Sequence, residues 1–96
     1  MTKIEIENVI QPGKTYRVDT IKFTAMREAF LTVIPSTPPG MTVADLKAAL
    51  LPHLPQDLFP GGEKAGWWIK SVQLDLEAKK IIQRGEGSPV RLWRVQ

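Results

Sequence analysis

Residues 61–96 read GGEKAGWWIKSVQLDLEAKK, IIQR, GEGSP and VRLWRVQ in succession, and this stretch decides the fold. After the Gly61-Gly62 pair, apolar residues recur at the three- and four-residue steps of a helix. They are Ala65, Trp68, Ile69, Val72 and Leu76. Two short runs rich in β-branched residues follow, and the turn between them, at residues 85–89, contains glycine and proline. The stretch therefore predicts a helix followed by a two-stranded hairpin.

Two further helices are predicted ahead of this stretch. The first begins after Asp19, whose carboxylate can accept a hydrogen bond from a first-turn amide, and it ends before Pro35. The second begins at Thr42, which has the spacing of a capping box with Asp45, and Pro52 ends it. A connection of about ten residues, HLPQDLFPGG, then leads to the third helix. A helix-turn-helix normally uses only three or four residues at this point.

The N-terminal residues predict an extended segment ahead of the helices. Residues 3–9 alternate apolar and polar side chains, which is typical of a half-buried strand. Residues 11–14, QPGK, have the composition of a tight turn, and Tyr16 and Val18 then continue as a second extended run. We therefore expect a strand or a hairpin at the N-terminus.

The order of these elements gives an α+β fold in a single domain that spans residues 1–96. We expect the extended segment at residues 1–18, three helices at 19–80 and two strands at 81–96. Three helices followed by a two-stranded wing is the order of a winged helix, a scaffold that mainly binds nucleic acid or other proteins. The fold alone does not specify a function.

Two resemblances support this interpretation. Residues 42–96 resemble winged-helix DNA-binding domains, in which a helix with a leucine-rich end runs into the wing, although those domains commonly have glycine at the position of Lys80. Nearly the whole chain also resembles a small bacterial domain family of unknown function. That resemblance rests on the runs PGKTYRVD, PPGMT, LLPHLP, LFPGGEKAGWW and VQLDLEAK. The first resemblance implies nucleic-acid binding, whereas the second implies no activity.

Composition excludes several classes of chemistry. The chain has no cysteine and one histidine, His53, which lies in a proline-rich loop without a catalytic partner. The motif of a phosphate-binding loop is absent, and the carboxylates do not cluster as an acid–base or metal site would require. We therefore expect a protein that is not an enzyme, with no catalytic residue, no metal and no cofactor.

The sequence shows no sign of export or membrane insertion. Its N-terminus, MTKIEIENV, places acidic residues among apolar ones and does not have the apolar run of a signal peptide. The longest aliphatic block, AALL at residues 48–51, is too short to cross a bilayer. We expect a cytoplasmic protein with no membrane partner.

The distribution of charge favours a polyanionic partner. Net charge is +3, and residues 1–62 hold six basic and six acidic side chains, whereas residues 63–96 hold seven basic and four acidic ones. The excess therefore lies in the third helix and the wing, and duplex DNA is the expected ligand. The side chains expected to contact its phosphates are Lys64, Lys70, Ser71, Lys80, Arg84 and Arg91. The centre of the helix's outer face has no Arg, Asn or Gln, so binding is expected to be weak and largely non-specific.

The same outer face of the third helix supports an alternative function. Trp67 and Leu74 lie seven residues apart on it and would expose a large apolar surface on an isolated monomer. One hypothesis is that these two residues anchor a protein-interaction or homodimer surface, because tryptophan is enriched at the centres of such interfaces. The other hypothesis is that the N-terminal hairpin packs over them.

Overall fold

The turn residues and helix caps of the sequence divide the chain into short elements. A computed structural model describes residues 2–96, which form an α+β fold of three α-helices and two small antiparallel sheets. The helices are α1 (Thr20–Val33), α2 (Val43–Leu50) and α3 (Ala65–Ala78). The strands are β1 (Lys3–Glu7), β2 (Thr15–Asp19), β3 (Met41–Thr42), β4 (Ile82–Arg84) and β5 (Arg91–Arg94). The predicted α+β class is confirmed.

The predicted N-terminal hairpin is present. Strands β1 and β2 pair in antiparallel register, with Ile4 opposite Val18 and Ile6 opposite Tyr16. Ile6 and Val18 are buried, whereas the alternate residues along both strands face away from the core. The hairpin is thus fastened to the helices through one of its faces.

Capping residues start α1 and α2 where the sequence predicts. The Asp19 carboxylate accepts a hydrogen bond from the Lys22 amide at 3.0 Å, and Thr42 Oγ1 accepts one from the Asp45 amide at 3.1 Å. A 3₁₀ turn at Leu51–His53 follows α2, because Pro52 cannot continue the regular helix.

The third helix starts later than the Gly61-Gly62 pair suggests. Pro60–Gly62 form a separate 3₁₀ turn, and Lys64, at φ +57°, turns the chain into α3. The five residues predicted to form the buried face of α3 are all buried. The helix ends at Ala78, so Lys80 lies beyond it at φ +60°, a conformation that glycine adopts most easily.

The second sheet contains one strand more than the sequence predicts. Strands β4 and β5 pair in antiparallel register as expected, with Gln83 opposite Trp93. The two-residue strand β3 pairs with the other edge of β5, where Met41 lies opposite Leu92, so the strand order is β3–β5–β4. Leu92 and Ile82 are buried and join the core made by the helices. The sheet therefore ties the segment between α1 and α2 to the C-terminal strands.

Candidate binding surface

The outer face of α3 keeps one large aromatic residue in solvent. The side chain of Trp67 is 56% exposed, and its ring meets that of buried Trp68 edge-to-face at a centroid distance of 4.9 Å. Lys70, one turn further along the helix, is also exposed, and Ser71 is half-buried. The hydroxyl of Ser71 donates to the Trp67 carbonyl oxygen at 3.0 Å, so it is engaged within the helix. Trp67 and Lys70 are therefore the side chains of this face that are most available to a ligand.

Leu74 does not contribute to an exposed apolar patch. It is 8% exposed, because the chain that leaves β1 lies across it and the Val9 amide donates to the Leu74 carbonyl oxygen at 3.3 Å. The expectation of an open surface around Leu74 is wrong. For this residue the hairpin-covered alternative is correct, whereas Trp67 stays exposed.

A buried carboxylate fixes the hairpin to α3. Asp75 is 1% exposed, and its Oδ1 accepts from the Glu7 amide at 2.8 Å and from Lys79 Nζ at 2.8 Å. The edge of β1 is thereby held at a defined place on the helix. The sequence showed Asp75 only as one acid among several, because a long-range backbone partner leaves no periodic signal.

A second buried carboxylate fixes the β4–β5 hairpin to α3. Glu77 accepts from Arg84 Nε at 2.5 Å and from Arg84 Nη2 at 2.8 Å, in a bidentate pair, and Gln73 Nε2 also donates to it at 3.3 Å. The hydrogen bond with Glu77 raises the pKa of Arg84 above its ordinary value, although partial burial opposes it. Arg84 therefore remains cationic at every accessible pH, and part of its charge is already compensated.

Three cations from three elements meet in a concavity between α2, α3 and the β4–β5 hairpin, which we call the cationic groove. Lys47 of α2, Lys70 of α3 and Arg84 of β4 line it, and its volume is about 340 Å³. None of its lining residues, all within the described part of the chain, is a carboxylate. Gly66 exposes the backbone at the start of α3, and a Cβ placed there would lie 3.8 Å from Lys47 Nζ. The groove therefore presents positive charge beside an open helix start.

The remaining predicted DNA contacts lie outside the cationic groove. Lys64 lines a different hollow together with Lys22, Asp57 and Glu63, so the two acids there offset the two lysines. Lys80 and Arg91 are exposed, but neither lines the groove. The structure thus brings together Lys70 and Arg84 from the predicted set and adds Lys47, which sequence reasoning missed. Its only signal is a basic residue in the last turn of α2.

A second concavity lies between the N-terminal hairpin and α3, and we call it the apolar groove. Its volume is about 360 Å³. The apolar and aromatic residues that line it are Ile6, Tyr16, Val18, Trp67 and Leu74. Its charged lining residues are Arg17, Lys70 and Glu7. Lys70 thus lines both grooves.

Two kinds of feature, a metal site and a membrane span, are absent from residues 2–96. In this part of the chain, no group of three or more His, Cys, Asp or Glu side chains could hold a metal ion. Nor does any helix in it have the length and apolar character needed to cross a membrane.

Comparison with known proteins identifies a family without an assigned activity. Residues 3–92 match the model of a family of unknown function (DUF6958), which confirms the resemblance noted from the sequence. No curated protein and no solved structure matches the chain.

Proposed function

Because the chain belongs to this family of unknown function, its relatives supply no activity, and we propose from its own geometry that it is a non-enzymatic winged-helix module that binds duplex DNA. The element order supports the winged-helix part of this proposal. Three helices precede the β4–β5 hairpin, which would be the wing. Strand β3, which lies between α1 and α2 in the chain, belongs to the same sheet as this hairpin. Lys70 of α3 and Arg84 of β4 line one groove, which supports a binding surface shared by the third helix and the wing.

The cationic groove is the observation that carries the DNA proposal. Phosphate contacts position a protein on duplex DNA and need cations, and here Lys47, Lys70 and Arg84 converge from α2, α3 and the wing. The three cations come from different elements, and none of the described lining residues is acidic. The open backbone at Gly66 would allow close approach of a DNA strand to the start of α3.

The same groove has little capacity to read bases. Gln73 is the amide side chain in its lining, and amides can pair with adenine through two hydrogen bonds. However, Gln73 is buried and donates to Glu77, so its amide is occupied. Arg84 likewise donates both Nε and Nη2 to Glu77. We therefore propose weak binding that depends little on the DNA sequence.

The salt dependence of DNA affinity tests this proposal. Two lysines and the partly compensated Arg84 predict that log affinity falls with log salt at a slope between about −2 and −3, because each phosphate contact releases condensed counterions. Replacing Lys47 and Lys70 together with glutamine should flatten the slope by about two units. Fluorescence anisotropy of a labelled random duplex, titrated at several low salt concentrations, measures it.

A matched double variant separates the groove from overall charge. Lys3→Gln with Arg27→Gln removes the same charge from exposed positions that line neither groove. This control should keep a slope close to that of the wild type. Equal losses in the two double variants would mean that net charge alone attracts DNA, and no binding at the lowest salt would end the proposal.

A protein interface around Trp67 is the second candidate function, favoured by exposed apolar residues beside α3. Trp67 is accompanied by Tyr16 of β2 and by Ile10 of the β1–β2 turn, both exposed, and each lines one of the two grooves next to α3. Aromatic anchors of this kind are typical of interface centres. Leu74, the other residue expected in this interface, is buried under the chain that leaves β1 and would therefore make little direct contact with a partner.

Self-association tests this second function directly. If the surface joins two copies of the chain, sedimentation at increasing concentration should show a dimer, and Trp67→Ala should weaken it by more than tenfold, the effect of losing a typical hot spot. Ile21→Ala, an exposed apolar residue on α1 that lines neither groove, is the control. A monomer at every concentration would leave a different protein as the only possible partner.

A further inference from the structure

The apolar groove has the dimensions and lining of a small-molecule site. Its volume of about 360 Å³ lies at the lower end of the range found for ligand pockets. Buried side chains of Ile6, Val18 and Leu74 form its floor. An apolar group placed there would be removed from water against three hydrophobic surfaces, which is the main source of affinity in such sites.

Two aromatic rings stand at the groove on opposite elements, and both are held in place. The Tyr16 hydroxyl is hydrogen-bonded to Gln11 Oε1 at 2.6 Å, which fixes the ring on the hairpin side. The Trp67 ring rests edge-to-face on Trp68 on the helix side. The hairpin itself is fixed to α3 through Asp75. The groove is therefore largely preformed, so a ligand would pay little for ordering its walls.

The charged residues select the sign of the ligand. Two cations, Arg17 and Lys70, line the groove against one carboxylate, Glu7. Arg17 lies opposite Glu5 across the hairpin, whereas Lys70 belongs to neither of the two ion pairs found in residues 2–96. An anionic group placed in the groove would therefore find its partner in Lys70.

From these observations we infer that the apolar groove binds a small aromatic carboxylate, with its ring between Tyr16 and Trp67 and its carboxylate on Lys70. This site is separate from the proposed DNA contacts in everything but Lys70, and its occupancy does not require that DNA binds. Volume favours a small molecule over a peptide, because a helix or strand of a partner protein would need a longer groove than one of this size.

The experiment uses the full chain and a matched pair of probes, 2-naphthoate and its neutral amide, 2-naphthamide. In two-dimensional amide NMR titrations, both should shift the signals of Trp67 and Tyr16, and the carboxylate should bind about tenfold tighter through its charge-assisted contact. Lys70→Gln should abolish that preference and leave the affinity for the amide unchanged. Trp67→Ala should weaken both probes by about tenfold.

Several results would overturn the inference. They are the absence of shifts at the groove at millimolar probe, equal affinity for the two probes, and a preference for the carboxylate that survives in Lys70→Gln. Arg27→Gln, a charge loss on α1 outside both grooves, should behave as the wild type; an equal loss in this control would show that the preference reflects net charge alone. A dimer that buries Trp67 at the concentration of the assay would also contradict the inference, because a second copy would then fill the groove.

Discussion

Replacing Trp68 with alanine should lower the free energy of unfolding by about 3–5 kcal/mol, the usual cost of removing a buried tryptophan. Trp68 lies in the main core, and its ring meets that of Phe59 edge-to-face at a centroid distance of 6.3 Å. Phe59 belongs to the long connection between α2 and α3, so the variant would also loosen the start of α3. Urea denaturation followed by circular dichroism measures the loss. The free energy of unfolding of a typical domain is only about 5–15 kcal/mol, so the variant would be close to unfolding.

The neighbouring residue provides the control for this prediction. Trp67→Ala removes a ring of the same size that is mostly in solvent and should cost about 1 kcal/mol, chiefly its edge-to-face contact with Trp68. The two substitutions change composition equally, so their difference isolates burial. Similar losses in both variants would place Trp67 in the core and would remove the basis for a ligand or partner at its ring.

Local signals in the sequence were sufficient to predict most of the fold. The caps at Asp19 and Thr42, the prolines that end helices and the apolar stripe of α3 each depend on residues within a few positions of one another. The sequence did not predict the short strand β3, because two residues are too few to show a periodic pattern. Its pairing with β5 also joins residues about fifty positions apart.

The candidate site was only partly predictable because it depends on how elements pack. Lys47 and Lys70 belong to different helices, and the long connection between these helices gives no indication of the angle between them. Burial of Leu74 depends on where the N-terminal hairpin settles, and Asp75 and Glu77 are buried for the same kind of reason. A hairpin covers each of these carboxylates. The sequence predicts that α3 is amphipathic, but in the structure all of residues 72–77 are buried.

The second large effect is expected at Gly40, the residue before β3, whose backbone lies close to that of Leu92 in β5. Gly40 has φ +82°, and a Cβ built there would lie 2.3 Å from the backbone oxygen of Leu92. Alanine would therefore carry both the strain of a left-handed conformation and a collision with main-chain atoms that cannot rotate away. We expect Gly40→Ala to destabilise the chain by about 3 kcal/mol or more and to release β3 from β5.

Gly87 allows the collision to be separated from the backbone strain. It has φ +90° in the β4–β5 turn, and a Cβ there would meet no atom within 4 Å, so Gly87→Ala should cost only about 1–2 kcal/mol. Urea midpoints of the two variants, together with amide exchange at Met41, measure the difference. If Gly40→Ala and Gly87→Ala destabilise the chain equally, and the Met41 amide stays protected from exchange in both, the sheet can accommodate the added methyl group at Gly40 with little loss of stability. The strand order β3–β5–β4 would then be a weaker constraint on the placement of α2 and Lys47 than the close packing at Gly40 indicates.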